Sequence, residues 1–202
     1  MTNLPIEGEF NITATYGQKG PYWADGHKGI DFTAKNKTIY ATCDGTVRVV
    51  AYDEIGWGQY VSIGDANGNR HIFCHLAKGS VKVKDGQKVT RSTIIGTMGS
   101  TGNSTGVHLH FQMNDKNNAP MNPCKYLGVP NKKGSYNSKD FQIGEDNMKF
   151  KDDAKISSWA KEDVKKVSDA GIMVGDAKGN FNPKAYLTRE EAAVIIARAK
   201  KL

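Results

Sequence analysis

The apolar residues of this chain change their spacing partway along it, and the change divides the sequence into two kinds of domain. Up to about residue 128 the apolar runs are short, bounded by glycine and of period two, as strands require. They are Gly45–Ala51, Gln59–Ile63, Arg70–Leu76, Ser80–Lys84, Ile94–Met98 and Val107–Met113. Asp65-Ala-Asn-Gly-Asn69 reads as a hairpin turn between two of them. No helical stretch of ordinary length interrupts this pattern. Residues 1–128 are therefore expected to form a mainly antiparallel β domain. Residues 129–147 are polar and glycine-containing and read as a linker. From 148 to 202 the period is helical. Ser158–Gly171 sets Ala160, Val164 and Val167 on one face and stops at a glycine. Thr188-Arg-Glu-Glu191 is a capping box, followed by an apolar stripe of Ala192, Ile195, Ile196 and Ala199. So short a piece buries little core alone. This small α-helical domain is expected to lean on a partner surface.

Several function classes are excluded at once. No apolar run approaches the roughly 20 residues of a membrane-spanning helix. The first ten residues hold no basic stretch followed by an apolar core, so a chain made in the cytoplasm without a secretory signal is expected. The net charge of +7 favours an anionic partner. It is not gathered into a basic stripe with interleaved aromatics, so nucleic acid is not the expected one. Cys43, Cys74 and Cys124 make an odd, widely spaced set. That is neither a disulfide framework nor a zinc ribbon, and reads as buried thiols of a chain made in a reducing compartment.

All five histidines, His27, His71, His75, His108 and His110, lie in the β domain. His108 and His110 are two apart on a predicted strand, so both side chains leave one face while Leu109 enters the core. Asp31 follows His27 by four residues. Gly29 and Ile30 argue against a helix there, but a loop running into a strand can bring both side chains to one ion. Zinc accepts imidazole nitrogen and carboxylate oxygen, and two histidines with one aspartate leave a position open for water, as in catalytic sites. His71 is expected on a strand surface. Cys74 is expected to face away from His75 as a core thiol.

Gly26-His-Lys-Gly-Ile-Asp31, Phe73-Cys-His-Leu76, Val81–Val89 and Gly99-Ser-Thr-Gly through His-Leu-His110 occur in an order and spacing that resembles the lysostaphin-type zinc metalloendopeptidases of bacterial peptidoglycan. The resemblance covers about residues 8–128. It implies an open β groove and one Zn²⁺ per peptidase domain, held by His27, Asp31 and His110. It makes His75 and His108 the catalytic pair beside the metal, one handling the proton and the other orienting water or the developing oxyanion. The loops around 16–26, 52–58 and 100–106 would shape the groove. The family more often has a small or polar residue where Cys74 stands.

Phe150-Lys-Asp-Asp153, Trp159-Ala160, Ala170-Gly-Ile172, Gly179-Asn-Phe181, Pro183 and Leu187–Ala193 resemble the surface-layer homology module. That resemblance implies an anionic secondary cell-wall polymer as partner, with Asp152 and Arg189 as candidate contacts. Trp159 reads as core rather than a sugar platform. Such modules usually work as three copies and this chain has one, so association between chains is an expected alternative to weak binding. Together the two resemblances imply a peptidoglycan hydrolase, expected as a phage endolysin that reaches the wall when the membrane opens. A secreted form follows if a signal was trimmed. The alternative is a non-cleaving wall-binding or regulatory protein that retains zinc.

Overall fold

The computed structural model describes residues 4–141, 150–157 and 160–199. The chain divides into two units, at 1–143 and 144–202.

The first unit is built on eleven strands: β1 (Glu9–Ala14), β2 (Ile30–Ala34), β3 (Thr38–Tyr40), β4 (Gly45–Asp53), β5 (Gly58–Gly64), β6 (Arg70–Leu76), β7 (Lys88–Val89), β8 (Ile94–Thr97), β9 (Leu109–Asn114), β10 (Pro120–Met121) and β11 (Gly134–Asn137). The main sheet runs β11-β1-β2-β9-β6-β5-β4-β7, with β10 also on β9, and its pairs are antiparallel. β3 and β8 form a separate pair. One face of β9 and its neighbours packs the core, where Phe32, Phe73, Leu109 and Phe111 are fully buried. The mainly antiparallel β architecture agrees with the sequence expectation. Alternation in Glu9–Ala14, with Phe10, Ile12 and Ala14 buried, is the signal for β1.

Three local expectations are corrected. Ser80–Lys84 is not a strand. It passes over Gly96, where a Cβ would come 3.3 Å from the Ser80 carbonyl, and its Lys82 N–H donates singly to Ile95 at 2.8 Å. Residues 134–137, read as linker, form β11 and pair with β1 along Glu9↔Asn137 to Ile12↔Gly134. His71 is not on a surface. β6 lies inside the sheet with both faces covered, and His71 shares the core face with its ladder partner Met113. Its Nδ1 lies 2.7 Å from Thr42 Oγ1 and its Nε2 3.4 Å from Asp65. Cys74 is fully buried, as expected of a core thiol, and its ladder partner is His110.

A five-residue helix, α1 (Pro123–Leu127), is capped by the Asn122 side chain and closed by Gly128 at φ +71°. In the second unit, α2 (Lys161–Asp169) ends at Gly171 with φ +68°, and α3 (Arg189–Ala199) follows an irregular loop. The capping box is formed: Thr188 N–H donates to Glu191 Oε2 at 2.8 Å and Glu191 N–H to Thr188 Oγ1 at 3.1 Å. Phe150, Ile156 and Val164 make a small core with Phe181 against it. Within the expected stripe of α3, Ala192 and Ile195 are half-buried while Ile196 and Ala199 are exposed. Trp159 lies outside the described residues.

Asp152 has a structural task. Its two oxygens accept from the backbone N–H groups of Phe181 at 2.7 Å and Asn182 at 2.9 Å, so the carboxylate clamps the loop. Asp152→Ala leaves both donors without that acceptor and should cost the second unit about 1–2 kcal/mol, read as an earlier loss of helical signal on heating.

Burial holds the His71 pKa below its ordinary 6.5, although Asp65 pulls it the other way. An unfolded His71 therefore takes its proton at a higher pH than a folded one. The stability it contributes is complete above 6.5 and is lost as the pH falls towards the folded value. Denaturation from about pH 8 to about pH 5 should show this loss, and His71→Gln should reduce it.

Candidate metal centre

The pairing of β2 with β9 sets Asp31 directly opposite His110. His27 arrives from the loop before β2, four residues ahead of Asp31. The three side chains are buried and their ligand atoms converge. His27 Nε2 lies 2.9 Å from His110 Nδ1, His110 Nδ1 lies 2.9 Å from Asp31 Oδ1, and His27 Nε2 lies 3.2 Å from the same oxygen. Gly29 makes the approach sterically feasible. A Cβ there would sit 2.4 Å from the Phe111 carbonyl and 2.7 Å from the His110 ring. The motif needs a glycine between its histidine and aspartate for this reason.

These residues fit a small divalent cation. A backbone carbonyl only accepts, so the 3.1 Å contact from His27 Nδ1 to Thr15 O places the proton on Nδ1 and leaves Nε2 with its lone pair pointing at the cluster. Burial alone would raise the Asp31 carboxyl. The His110 and His27 rings beside it outweigh burial and hold Asp31 well below the usual carboxylate range. The site thus holds an anionic oxygen and imidazole nitrogens. Their separations approach the roughly 3.3 Å that a tetrahedral ion with bonds near 2.0–2.1 Å imposes. Among the described residues this is the one group of three or more His, Cys, Asp or Glu side chains able to share an ion.

His75 and His108 stand beside it, with ring centroids 4.6 Å apart and His75 6.1 Å from His110. Strand alternation alone does not place His75. Its φ of +60° breaks the run after Cys74, and its backbone N–H donates to Trp57 O at 2.8 Å. Each ring is tied by Nδ1 to a backbone carbonyl, His75 to Thr101 and His108 to Gly106, both at 2.8 Å. In the neutral ring each therefore presents the lone pair of Nε2. Burial pulls the His75 pKa down to about 4, against the Thr101 bond, so the ring is neutral at neutral pH. The cysteines offer no nucleophile. Burial pushes Cys43 up to about 12 and Cys124 to about 11, and raises Cys74 well above its ordinary value.

The five groups of the site line a cleft of about 390 Å³ whose walls come from Tyr22, Trp23 and residues 103–107. Loops 16–26 and 100–106 thus shape it as expected. Loop 52–58 acts through the Trp57 carbonyl. A cleft of about 670 Å³ over β1, β2 and β11 holds no histidine. Sequence reasoning missed Trp23, whose ring packs 4.5 Å from His27, and the Thr15, Thr101 and Gly106 carbonyls, which leave no mark in side-chain type. It also missed Gln112, 3.3 Å from His110 Nε2, although Gln112 continues the period-two face of His108 and His110. Arg189 is exposed at the start of α3.

Residues 25–123 match peptidase family M23, and residues 149–193 match the S-layer homology domain. Glycyl-glycine endopeptidase ALE-1 of Staphylococcus capitis is 35% identical over 126 residues, covering 58% of this chain and 34% of that protein. The surface-layer 125 kDa protein of Lysinibacillus sphaericus is 52% identical over 48 residues, 24% of this chain and 4% of that one. The chain thus spans about a third or less of these curated relatives. The catalytic domain of the antimicrobial peptidase lysostaphin from Staphylococcus simulans aligns with a TM-score of 0.52 and 30% identity, covering 56% of this chain and 90% of that domain. With the β groove, the buried His27–Asp31–His110 cluster and the helical C-terminal unit in place, residues 25–123 belong to peptidase family M23 and residues 149–193 are an S-layer homology domain.

Proposed function

We propose that this chain hydrolyses peptide bonds in bacterial peptidoglycan, with its C-terminal domain holding it at the wall. The observation that carries the reading is the convergence of His27, Asp31 and His110 beside two histidines held through Nδ1 so that Nε2 keeps its lone pair. One Zn²⁺ per peptidase domain, held by those three residues, would supply a Lewis acid and lower the pKa of water at the site. His75 and His108 do the proton work. One takes a proton at Nε2 from the attacking water and passes it to the departing amine, while the other orients water or steadies the oxyanion. Their Nδ1 bonds to Thr101 and Gly106 hold both rings in one tautomer for this. A cleft of this size, lined by the five groups, would accept an extended peptide. The name of the relative ALE-1, a glycyl-glycine endopeptidase, supports a stem peptide or cross-bridge as substrate.

The C-terminal domain is read as binding an anionic secondary cell-wall polymer. Arg189 is the group for it: an exposed guanidinium in the first turn of α3, where the helix dipole adds to its charge. Exposed Val194 and Ile196 on the same helix fit association between chains through a module present once. Tethering raises the local concentration of the peptidase at its substrate. The protein then acts at the cell wall. Its three buried free thiols suit folding in a reducing compartment beforehand, as in a phage endolysin.

Mass spectrometry of fragments released from purified Gram-positive sacculi tests the reading. The chain should release fragments with new amine and carboxyl ends, and a zinc chelator should stop it. His110→Ala should lose both metal and activity. His75→Ala should keep the metal and lose activity by about 10²–10⁴-fold. Zinc bound at one per chain with no fragment released from several wall types would replace this reading with a non-cleaving wall-binding protein.

A further inference from the structure

The groove face of β9 carries a polar side chain at every second residue, His110, Gln112 and Asn114, and all three are buried. Buried amides require fixed partners, and here the partners run in one direction. The Asn118 backbone carbonyl can only accept, and it takes a hydrogen from Asn114 Nδ2 at 3.2 Å. The same Nδ2 donates to Asn118 Oδ1 at 3.0 Å. Asn114 Oδ1 is thereby turned the other way, and it accepts from Gln112 Nε2 at 2.8 Å. Gln112 must then present its oxygen to His110, 3.3 Å from Nε2. An amide oxygen accepts only, so His110 carries its proton on Nε2. Its Nδ1 is left with the lone pair that meets Asp31 and His27.

The outer end of this path is anchored. Asn118 lies at φ +66° in a turn where Asp115 N–H donates to Ala119 O at 2.9 Å. Asp115 Oδ1 accepts from the N–H groups of Asn117 at 2.9 Å and Ala119 at 2.8 Å. Arg70 Nη1 donates to Asn118 Oδ1 at 3.3 Å.

We propose that Gln112 is a positioning residue for the metal centre. Through Asn114 it carries a hydrogen-bond direction, fixed at the 115–119 turn, to His110, and it selects Nδ1 as the metal-binding atom. The proposal rests on the metal-centre reading above. Gln112 touches neither metal nor substrate, and its effect is on the affinity and orientation of a ligand ring.

Zinc affinity of the full chain, by competition with a chromophoric chelator, is the test, with Gln112→Met and Gln112→Glu as variants. Methionine fills the space without the acceptor; glutamate keeps an oxygen towards His110. Gln112→Met should bind zinc about 10–100-fold more weakly, and Gln112→Glu, which keeps the oxygen towards His110 but has no donor for Asn114, should recover part of that loss. Ring ¹⁵N–¹H spectra of the unaltered zinc-loaded chain should show His110 protonated at Nε2 and slow to exchange. Unchanged affinity in Gln112→Met overturns the proposal alone. A His110 proton on Nδ1 overturns it without any variant having to fold. Failure of the unaltered chain to bind zinc overturns the metal centre and the proposal with it.

Discussion

The first unit depends on bringing three electron-rich atoms to one buried point. A buried carboxylate costs several kcal/mol unless it is compensated. Two imidazole nitrogens meet it here, and the meeting is delivered by a register. Asp31↔His110 is a cross-strand pair, so any slip of β2 against β9 would move one of them to the opposite face. The apolar pairs on either side, Ile30↔Phe111 and Phe32↔Leu109, are fully buried and hold that register. Core packing and site geometry are therefore one constraint. The residues that fill the core are interleaved, one by one, with those that make the site.

The rings are then aimed by backbone carbonyls more than by side chains. Thr15, Thr101 and Gly106 each fix the tautomer of one histidine. Thr101 does so because it is itself pinned: its hydroxyl donates to Leu76 O at 2.7 Å and accepts from Gln59 N–H at 2.9 Å. Gly58 and Gly102 let the two loops touch, since a Cβ on either would meet backbone within 2.3 Å. The glycine-serine-threonine loop ahead of the double histidine is thus a clamp on His75 as well as a wall of the cleft.

Much of this was legible in the sequence, and the failures have physical causes. The period-two run through His108 and His110 identified the right strand. It began two residues late, because His108 makes only an isolated bridge to Gly99. Gly171 and the Thr188 capping box were readable because local hydrogen bonding alone decides them. His71 was misplaced because alternation names a face and not what covers it. β11 was missed because Gly-Ser-Tyr-Asn carries no apolar signal of its own; it is a strand because β1 offers it a free edge. The structural task of Asp152 was not legible because a motif records a needed carboxylate without saying for what. Its partners are backbone N–H groups some thirty residues away.

The two units secure their folds by different means, and the difference bears on how each can work. The first buries a large apolar cluster, so its polar face can be given over to chemistry without loss of shape. The second buries three apolar side chains in its cluster and relies on polar clamps. Asp152 holds the 181–182 backbone, Asp176 accepts from the N–H groups of Lys178 and Asn180, and Glu191 closes the start of α3. Such a unit keeps its loops in place while leaving Val194, Ile196, Leu187 and Tyr186 uncovered. Apolar side chains left out of so small a core gain stability only when something covers them. The second unit is thus the one built to be completed by contact, while the first holds its shape on its own core.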